Sequence, residues 1–199
     1  GRQGQAGSQR ADPKKLAKLK GADRYDPHAK DGISPRWLPG AEAATFCAQG
    51  DEHDPAGNVN ESAENAVLQM DKRMKKMEAL KAALPEPEVY GAKNPDVVLV
   101  GWGSSKSVIL DAMKELSASG FQLAYVHYTY LWPLKTDLLQ KTAAKAKKTI
   151  LIEGNHNGQL GSLIKQECGM DFDERILKYD GRPFFVDELA ALITDRLPR

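Results

Sequence analysis

The densest group of reactive side chains lies in residues 50–62, GDEHDPAGNVNES, with four acidic residues, one histidine and two asparagines. An EF-hand calcium loop is excluded, because the sixth position counted from Asp51 is Ala56, where glycine is required. Glu52 and His53 could exchange protons, but a general acid–base pair needs a pocket that this stretch does not define. Chemistry alone therefore favours a polar capping loop before a helix, which we expect Asn58 and Glu61 to cap.

A glycine turn, GWGSSK, follows an apolar run and opens a helical pattern. Gly101 and Gly103 match the first two glycines of a dinucleotide-binding turn, but Lys106 occupies the place of the third. The next strand also lacks the acidic residue that would bind a ribose. The pattern favours a structural strand–helix turn, and the alternative is an anion site built on the amide groups of Ser104 and Ser105.

A further polar stretch, EGNHNGQL, follows another apolar run. Open α/β sheets bind ligands at the carboxyl ends of their strands, so this stretch is a candidate ligand contact. The alternative is a plain turn in which Asn157 caps a helix that Gly158 opens. Both interpretations stay open for its polar residues, which are Glu153, Asn155, His156, Asn157 and Gln159.

Hydrophobic periodicity indicates the elements that position these groups. Residues 61–84 predict a long helix with one apolar stripe, which ordinary core packing explains best, although its methionines would also suit a contact surface. Strands and helices alternate from residue 96 onward, which predicts an α/β fold with a mainly parallel sheet and helices on both faces. The predicted strands are 97–104, part of 121–133, 149–155 and 175–181, and the predicted helices are 105–120, 136–148, 158–169 and part of 183–197.

Composition narrows the class of protein. The formal net charge is +1, which gives the whole chain no bias toward nucleic acid or membrane surfaces. Two cysteines without a CxxC motif exclude a metal centre built on this chain's thiolates alone. No apolar run reaches the length of a membrane span. Without a signal-peptide pattern at residues 1–10, we expect a cytoplasmic protein.

Taken in order, seven stretches resemble the alpha subunit of 2-oxoacid:ferredoxin oxidoreductases, most closely the 2-oxoglutarate type. They are DGISPRWLPG, GDEHD with Gly57 and Glu61, MDKRMKKME, VGWGS, HYTYLWPL, EGNHNGQL and KYDGRPF. The resemblance runs from about residue 31 to the end of the chain. It implies that GDEHD is a loop that links the thiamine-pyrimidine domain to the C-terminal domain, and it implies a C-terminal domain similar to that of transketolase.

The resemblance also implies an activity for the assembled enzyme. The family decarboxylates a 2-oxoacid on thiamine diphosphate, transfers the acyl group to coenzyme A, and passes electrons through iron–sulfur clusters to ferredoxin. Thiamine diphosphate, Mg and [4Fe-4S] are expected in the assembled enzyme, and none is expected on this chain alone. Its expected partners are the beta subunit, the remaining alpha-subunit domains or a split subunit, a second alpha copy, ferredoxin and coenzyme A.

The usual family alpha subunit is longer at its N-terminus, so we expect a fragment, a split subunit or a portion of a longer chain that is not catalytic alone. The expected organisation is an irregular arm at 1–50, a loop and long helix at 51–89, and a transketolase C-terminal-like domain at 90–199. Its expected work is assembly and shaping of the active-site entrance. Candidate substrate or coenzyme A contacts are Arg36, His53, Gly103, Ser104, Asn155 and Gln159. Alternatives are a stand-alone nucleotide- or coenzyme A-binding module and a structural interaction domain.

Overall fold

The computed structural model describes residues 24–35, 46–116 and 120–198. It divides into two compact units, Gly1–Ala83 and Leu84–Arg199, and each is described by itself. Within the described ranges, no helix combines the length and the apolar character that crossing a bilayer requires.

The first unit is built on one long helix, α1 (Ala63–Ala83). The predicted cap of Asn58 and Glu61 is wrong, because the helix begins later than the pattern indicated. Ser62 lies directly before the helix, and its hydroxyl accepts a hydrogen bond from the backbone N–H of Asn65 at 3.3 Å. A side-chain oxygen in that position satisfies one of the amide groups that the first helical turn leaves free.

Helix α1 packs through polar side chains and exposes apolar ones. Asn65 and Gln69 are its buried residues, and each donates a hydrogen bond to a carbonyl of the preceding loops. The apolar side chains Val67, Met70 and Met74 are half exposed or more. The core-packing interpretation of the apolar stripe is therefore wrong for the described chain, and the contact-surface alternative remains.

The second unit is a five-stranded sheet covered by helices on both faces. Its strands have the order β1-β3-β2-β4-β5, and only the β1–β3 pair is antiparallel. The strands are β1 (Glu88–Gly91), β2 (Val97–Trp102), β3 (Leu123–Tyr128), β4 (Lys148–Glu153) and β5 (Glu174–Leu177). The helices are α2 (Ser105–Glu115), α3 (Asp137–Ala143), α4 (Gln159–Cys168) and α5 (Val186–Thr194).

The three central strands are buried on both faces, as their continuous apolar runs predict. On one face, Val97, Leu99 and Tyr125 pack against helices α2 and α5. On the other face, Val98 and Val100 pack with α3 and α4. The predicted α/β class, with a mainly parallel sheet between two helical layers, is confirmed.

Several elements of the second unit differ from the sequence prediction. Helix α2 ends at Glu115, five residues before the predicted end at residue 120, and strand β5 ends at Leu177, four residues before the predicted end at residue 181. Strand β1 was missed, because it has only four residues and follows a proline-rich stretch.

Helix α3 ends at Ala143, five residues before the predicted end at Lys148. The reason is that the amide groups of Lys147 and Lys148 both bind the Asp96 carbonyl, which draws this segment into β4.

Candidate functional site

A cavity of about 520 Å³ opens at the carboxyl edge of the sheet in the second unit. The loops after the neighbouring parallel strands β2 and β4 form two of its walls, and the segment before α5 forms the third. This is the position at which open α/β sheets bind ligands. The lining residues are Trp102, Gly103, Ser104, Ser105, Ser107, Val108, Gly154, Asn155, Gln159, Arg182, Pro183 and Phe184.

Four of the six predicted site residues meet in this cavity: Gly103, Ser104, Asn155 and Gln159. Arg182 joins them as the one charged residue among the described lining residues, and the sequence analysis did not single it out. It stands in KYDGRPF, a motif that was noted for its order along the chain and not for its arginine.

The turn into α2 offers hydrogen-bond donors to the cavity. Gly103 adopts a left-handed conformation with φ 60°, which a residue with a side chain rarely takes. Ser104 forms no side-chain cap, and the Ser105 hydroxyl donates to the Trp102 carbonyl at 2.7 Å. Among the described residues, no acceptor binds the amide groups of Ser104 and Ser105. These groups and the positive Arg182 suit an anionic ligand.

The turn into α4 has no free amide groups to offer a ligand, unlike the turn into α2. The Asn155 side-chain oxygen accepts from the amide groups of Gly158 and Gln159, at 2.8 and 3.2 Å. The buried Glu153 carboxylate accepts from the next two, Leu160 and Gly161, each at 3.1 Å. All four amide groups at this helix start are therefore occupied. The predicted cap Asn157 is wrong, because Asn155 caps the helix.

Glu153 also fixes the walls of the cavity relative to each other. Its carboxylate accepts the Trp102 indole N–H at 3.0 Å and the Asn155 side-chain amide at 2.6 Å. Its side chain is 1% exposed and does not line the cavity. We conclude that Glu153 is a structural residue that positions both loops.

A buried tyrosine–histidine pair lies next to Ser105, one of the cavity's lining residues. The Tyr125 hydroxyl and His127 Nδ1 are 2.8 Å apart, and both side chains are buried. Burial raises the pKa of Tyr125, and a hydrogen bond with the Ser105 hydroxyl opposes the rise. Burial and the nearby Lys106 ammonium lower the pKa of His127. Both groups are therefore held neutral around neutral pH.

His53, the fifth predicted residue, lies in the first unit. Its ring packs against Tyr25 at a tilt of 39° with centroids 4.2 Å apart, and Nδ1 is 3.2 Å from the Asp54 carbonyl oxygen. The neighbouring Glu52 forms a two-point ion pair with Arg73, at 3.2 and 2.6 Å. The GDEHD loop is thus held to the middle of helix α1 and does not itself cap the helix. Arg36, the sixth residue, lies outside the described residues.

Acidic and sulfur side chains do not cluster around a metal position. Across 24–35, 46–116 and 120–198, no group of three or more His, Cys, Asp or Glu side chains could hold an ion. Within unit 1, two acidic side chains of the 50–62 loop, Glu52 and Asp54, have protein partners instead. Asp54 accepts hydrogen bonds from the amide groups of Ala56 and Asn58, each at 2.9 Å.

The fold and this edge site define the class of the second unit. Residues 89–178 match the family model of the transketolase C-terminal domain. The wider chain is similar to 2-oxoacid:ferredoxin oxidoreductase 1, subunit alpha, of Sulfurisphaera tokodaii, with 36% identity over 167 residues that cover 82% of this chain and 26% of the relative. It is also similar to 2-oxoglutarate oxidoreductase subunit KorA of Mycobacterium tuberculosis, 26% identical over 69% of this chain and 20% of that one.

Among solved structures, the 2-oxoglutarate:ferredoxin oxidoreductase from Magnetococcus marinus, described with 2-oxoglutarate, coenzyme A and succinyl-CoA bound, matches with a TM-score of 0.77. That match has 29% identity and covers 87% of this chain and 30% of the other. The chain spans about a quarter of the length of the curated 2-oxoacid:ferredoxin oxidoreductase relatives it matches, 26% for the Sulfurisphaera protein.

These matches confirm the resemblance predicted from the motifs. Residues 89–178 match the transketolase C-terminal domain, and the chain is similar to 2-oxoacid:ferredoxin oxidoreductase alpha subunits, which are subunits of an oxidoreductase.

Proposed function

We propose that this chain is part of the alpha subunit of a 2-oxoglutarate:ferredoxin oxidoreductase, in which it serves assembly and shapes the active-site entrance. The homologues support the enzyme class in this proposal. The narrower substrate, 2-oxoglutarate, is supported by the relative named for 2-oxoglutarate in M. tuberculosis and by the Magnetococcus structure.

The cavity after β2 and β4 is the observation that supports a role in ligand binding. It combines the unoccupied amide groups of Ser104 and Ser105 with the single positive charge of Arg182. Coenzyme A and 2-oxoglutarate are both anions, so each would gain from these donors. Gly103 lets the backbone turn toward the cavity, and Asn155 and Gln159 complete its polar wall.

The cavity would bind and orient a ligand and would not catalyse a reaction step. Its described lining holds no carboxylate, thiol or imidazole that could act as a nucleophile or a general base. Thiamine diphosphate with Mg, and a [4Fe-4S] cluster, would supply the decarboxylation and the electron transfer in the assembled enzyme. In this proposal they are held by the beta subunit and by other alpha-subunit domains, and ferredoxin receives the electrons.

The role in assembly is supported by α1. Val67, Met70 and Met74 form an exposed apolar surface on this helix, and solvated apolar patches of this kind mark contact sites. Methionine side chains adapt to the shape of a partner. The candidate partners are the beta subunit, the remaining alpha-subunit domains and a second alpha copy.

Purification of the native complex through a tag on this chain tests the proposal. We expect iron, a co-purifying beta subunit and reduction of a viologen dye that requires both 2-oxoglutarate and coenzyme A. A chain that purifies alone, without iron or activity, would refute the proposal. Pyruvate-dependent reduction in place of the 2-oxoglutarate reaction would refute only the assigned substrate.

A further inference from the structure

Helix α1 exposes an apolar seam with the spacing of a coiled coil. The apolar residues follow one another at alternating steps of four and three, which is the heptad pattern of helices that pack side by side. Val67, Met70 and Met74, at the centre of the seam, are 59%, 50% and 51% exposed. Lys81 takes the next seam position and ends its apolar part. The members of the apolar seam are Ala63, Val67, Met70, Met74 and Met77.

The opposite face of α1 is fixed to the loops of the first unit. Asn65 and Gln69 lie on that face and donate hydrogen bonds to loop carbonyls at 3.0 and 3.5 Å. Gly32 lies against the helix backbone on the same side, because a Cβ atom there would be 2.6 Å from both the Lys72 carbonyl oxygen and the Lys76 amide nitrogen. Since the helix is held through its polar side, the seam points away from these loops.

All three acidic residues of α1 form one row beside the seam. Glu64, Asp71 and Glu78 are seven residues apart, and each directly follows a seam residue. All three are exposed, and none forms a salt bridge within the described ranges. Residues that flank a coiled-coil seam form salt bridges with the facing helix and thereby select the partner. This acidic row therefore gives α1 a preference for a helix with basic flanks.

A second copy of α1 does not supply such flanks. In an antiparallel pair, the acidic rows of the two copies would face each other. In a parallel pair, each acidic row would face the other flank of the seam, which is Ala66, Arg73 and Leu80. The one charge on that flank is the Arg73 guanidinium, and Glu52 already neutralises it at 2.6 Å. The charges of α1 thus favour a different helix over its own copy.

We propose that α1 docks a helix of a partner protein whose apolar seam is flanked by lysine or arginine residues. The seam would supply the affinity, and the acidic row would supply the selectivity. This inference rests on the role in assembly proposed above for α1, and it names the kind of partner surface that this role requires.

The test titrates two synthetic helices of about four heptads into the full chain, with binding measured by fluorescence anisotropy of the labelled helix. Both helices carry leucine in the seam, and their flanking rows hold lysine in one and glutamate in the other. We expect saturable binding of the lysine helix and at least about tenfold weaker binding of the glutamate helix. Met70→Gln with Met74→Gln should abolish binding of the lysine helix.

Reversal of the acidic row should reverse the preference. Asp71→Lys with Glu78→Lys makes this change and keeps Glu64, which lies in the first helical turn and stabilises the helix there. This variant should bind the glutamate helix more tightly than the lysine helix. Glu115→Lys with Glu167→Lys is the matched control, because it changes the charge equally at exposed positions of α2 and α4 and should keep the original preference.

Three outcomes would overturn the proposal. Equal binding of the two helices, or a preference that the Glu115→Lys and Glu167→Lys control also reverses, would contradict selection by the acidic row. Binding of the lysine helix that survives Met70→Gln with Met74→Gln would contradict docking on the seam. A dimer of the unmodified chain in sedimentation equilibrium that these methionine substitutions dissociate would assign the seam to a second copy. Each outcome leaves the enzyme assignment standing, because the test involves no enzyme complex.

Discussion

The Glu153 carboxylate accepts the indole N–H of Trp102 at 3.0 Å, which joins the carboxyl ends of the neighbouring strands β4 and β2. The same carboxylate accepts two amide groups of α4, from Leu160 and Gly161. One buried acidic side chain therefore holds both cavity loops and a helix start in place. We infer from these bonds that Glu153 stabilises the fold and is not a ligand contact.

Replacement of Glu153 by alanine should lower the free energy of unfolding by about 3 kcal/mol, because buried donors lose their acceptor. Urea unfolding monitored by circular dichroism measures the change. Glu167→Ala, at an exposed position of α4, should stay within about 0.5 kcal/mol of the unmodified chain. A loss below about 1 kcal/mol for Glu153→Ala would show that these hydrogen bonds contribute little.

Asn155→Ala should cost about 1 to 2 kcal/mol, because the first two amide groups of α4 lose their side-chain acceptor. Asn157→Ala should be nearly neutral, since that side chain is exposed and, among the described residues, contacts the His156 ring alone. The two melting temperatures, compared under one buffer condition, decide which asparagine caps the helix. Equal losses in both variants would contradict the assignment to Asn155.

The Glu52–Arg73 pair should make the first unit sensitive to acid. The Arg73 guanidinium lowers the pKa of Glu52 below its ordinary value of 4.5. A carboxyl group with a lowered folded-state pKa stabilises the fold above its unfolded pKa, and that stability is lost as pH falls through the folded pKa. Glu52→Gln should therefore flatten the decrease in stability below about pH 4.5.

Urea midpoints across an acidic pH series measure this effect. Glu78→Gln is the control, because Glu78 is exposed on α1 and forms no salt bridge among the described residues, so its profile should follow the unmodified chain. An unchanged acid limb in Glu52→Gln would indicate that other carboxyl groups cause the decrease.

Polar substitution of Met70 and Met74 should separate stability from assembly. Since both side chains are half exposed, Met70→Gln with Met74→Gln should change the stability of the isolated chain by less than about 1 kcal/mol. Recovery of the beta subunit on the tagged chain should fall strongly. Loss of stability with intact assembly would show that this face packs within the chain, as the sequence pattern first indicated.

The sequence predicted the parts of the fold that long, uniform patterns determine. Strands such as β2 and β4 are continuous apolar runs, and only a position between two helical layers explains such runs. Strand β1 escaped prediction because Glu88 and Val89 alternate too briefly to show a period. The polar packing face of α1 also escaped, because Asn65 and Gln69 are buried only through their bonds to loop carbonyls.

The candidate site was predicted in part for similar reasons. Gly103, Ser104, Asn155 and Gln159 follow strands that end at one sheet edge, so their meeting in a cavity follows from the topology. The structural use of Glu153 does not follow, because one of its four donors, the Trp102 indole, lies 51 residues away in the chain. Arg182 reaches the same edge from the segment before α5, and no local pattern marks that approach.

The coenzyme A KM of the complex carrying Arg182→Gln is the most direct measurement of the proposed role of the cavity. Lys114→Gln, which removes an exposed charge near the end of α2, is the matched control. With the cavity as a coenzyme A contact, the KM should rise about tenfold in Arg182→Gln with kcat nearly unchanged, and neither should change in Lys114→Gln. An unchanged coenzyme A KM and an unchanged 2-oxoglutarate KM in Arg182→Gln would contradict a ligand-binding role for this cavity.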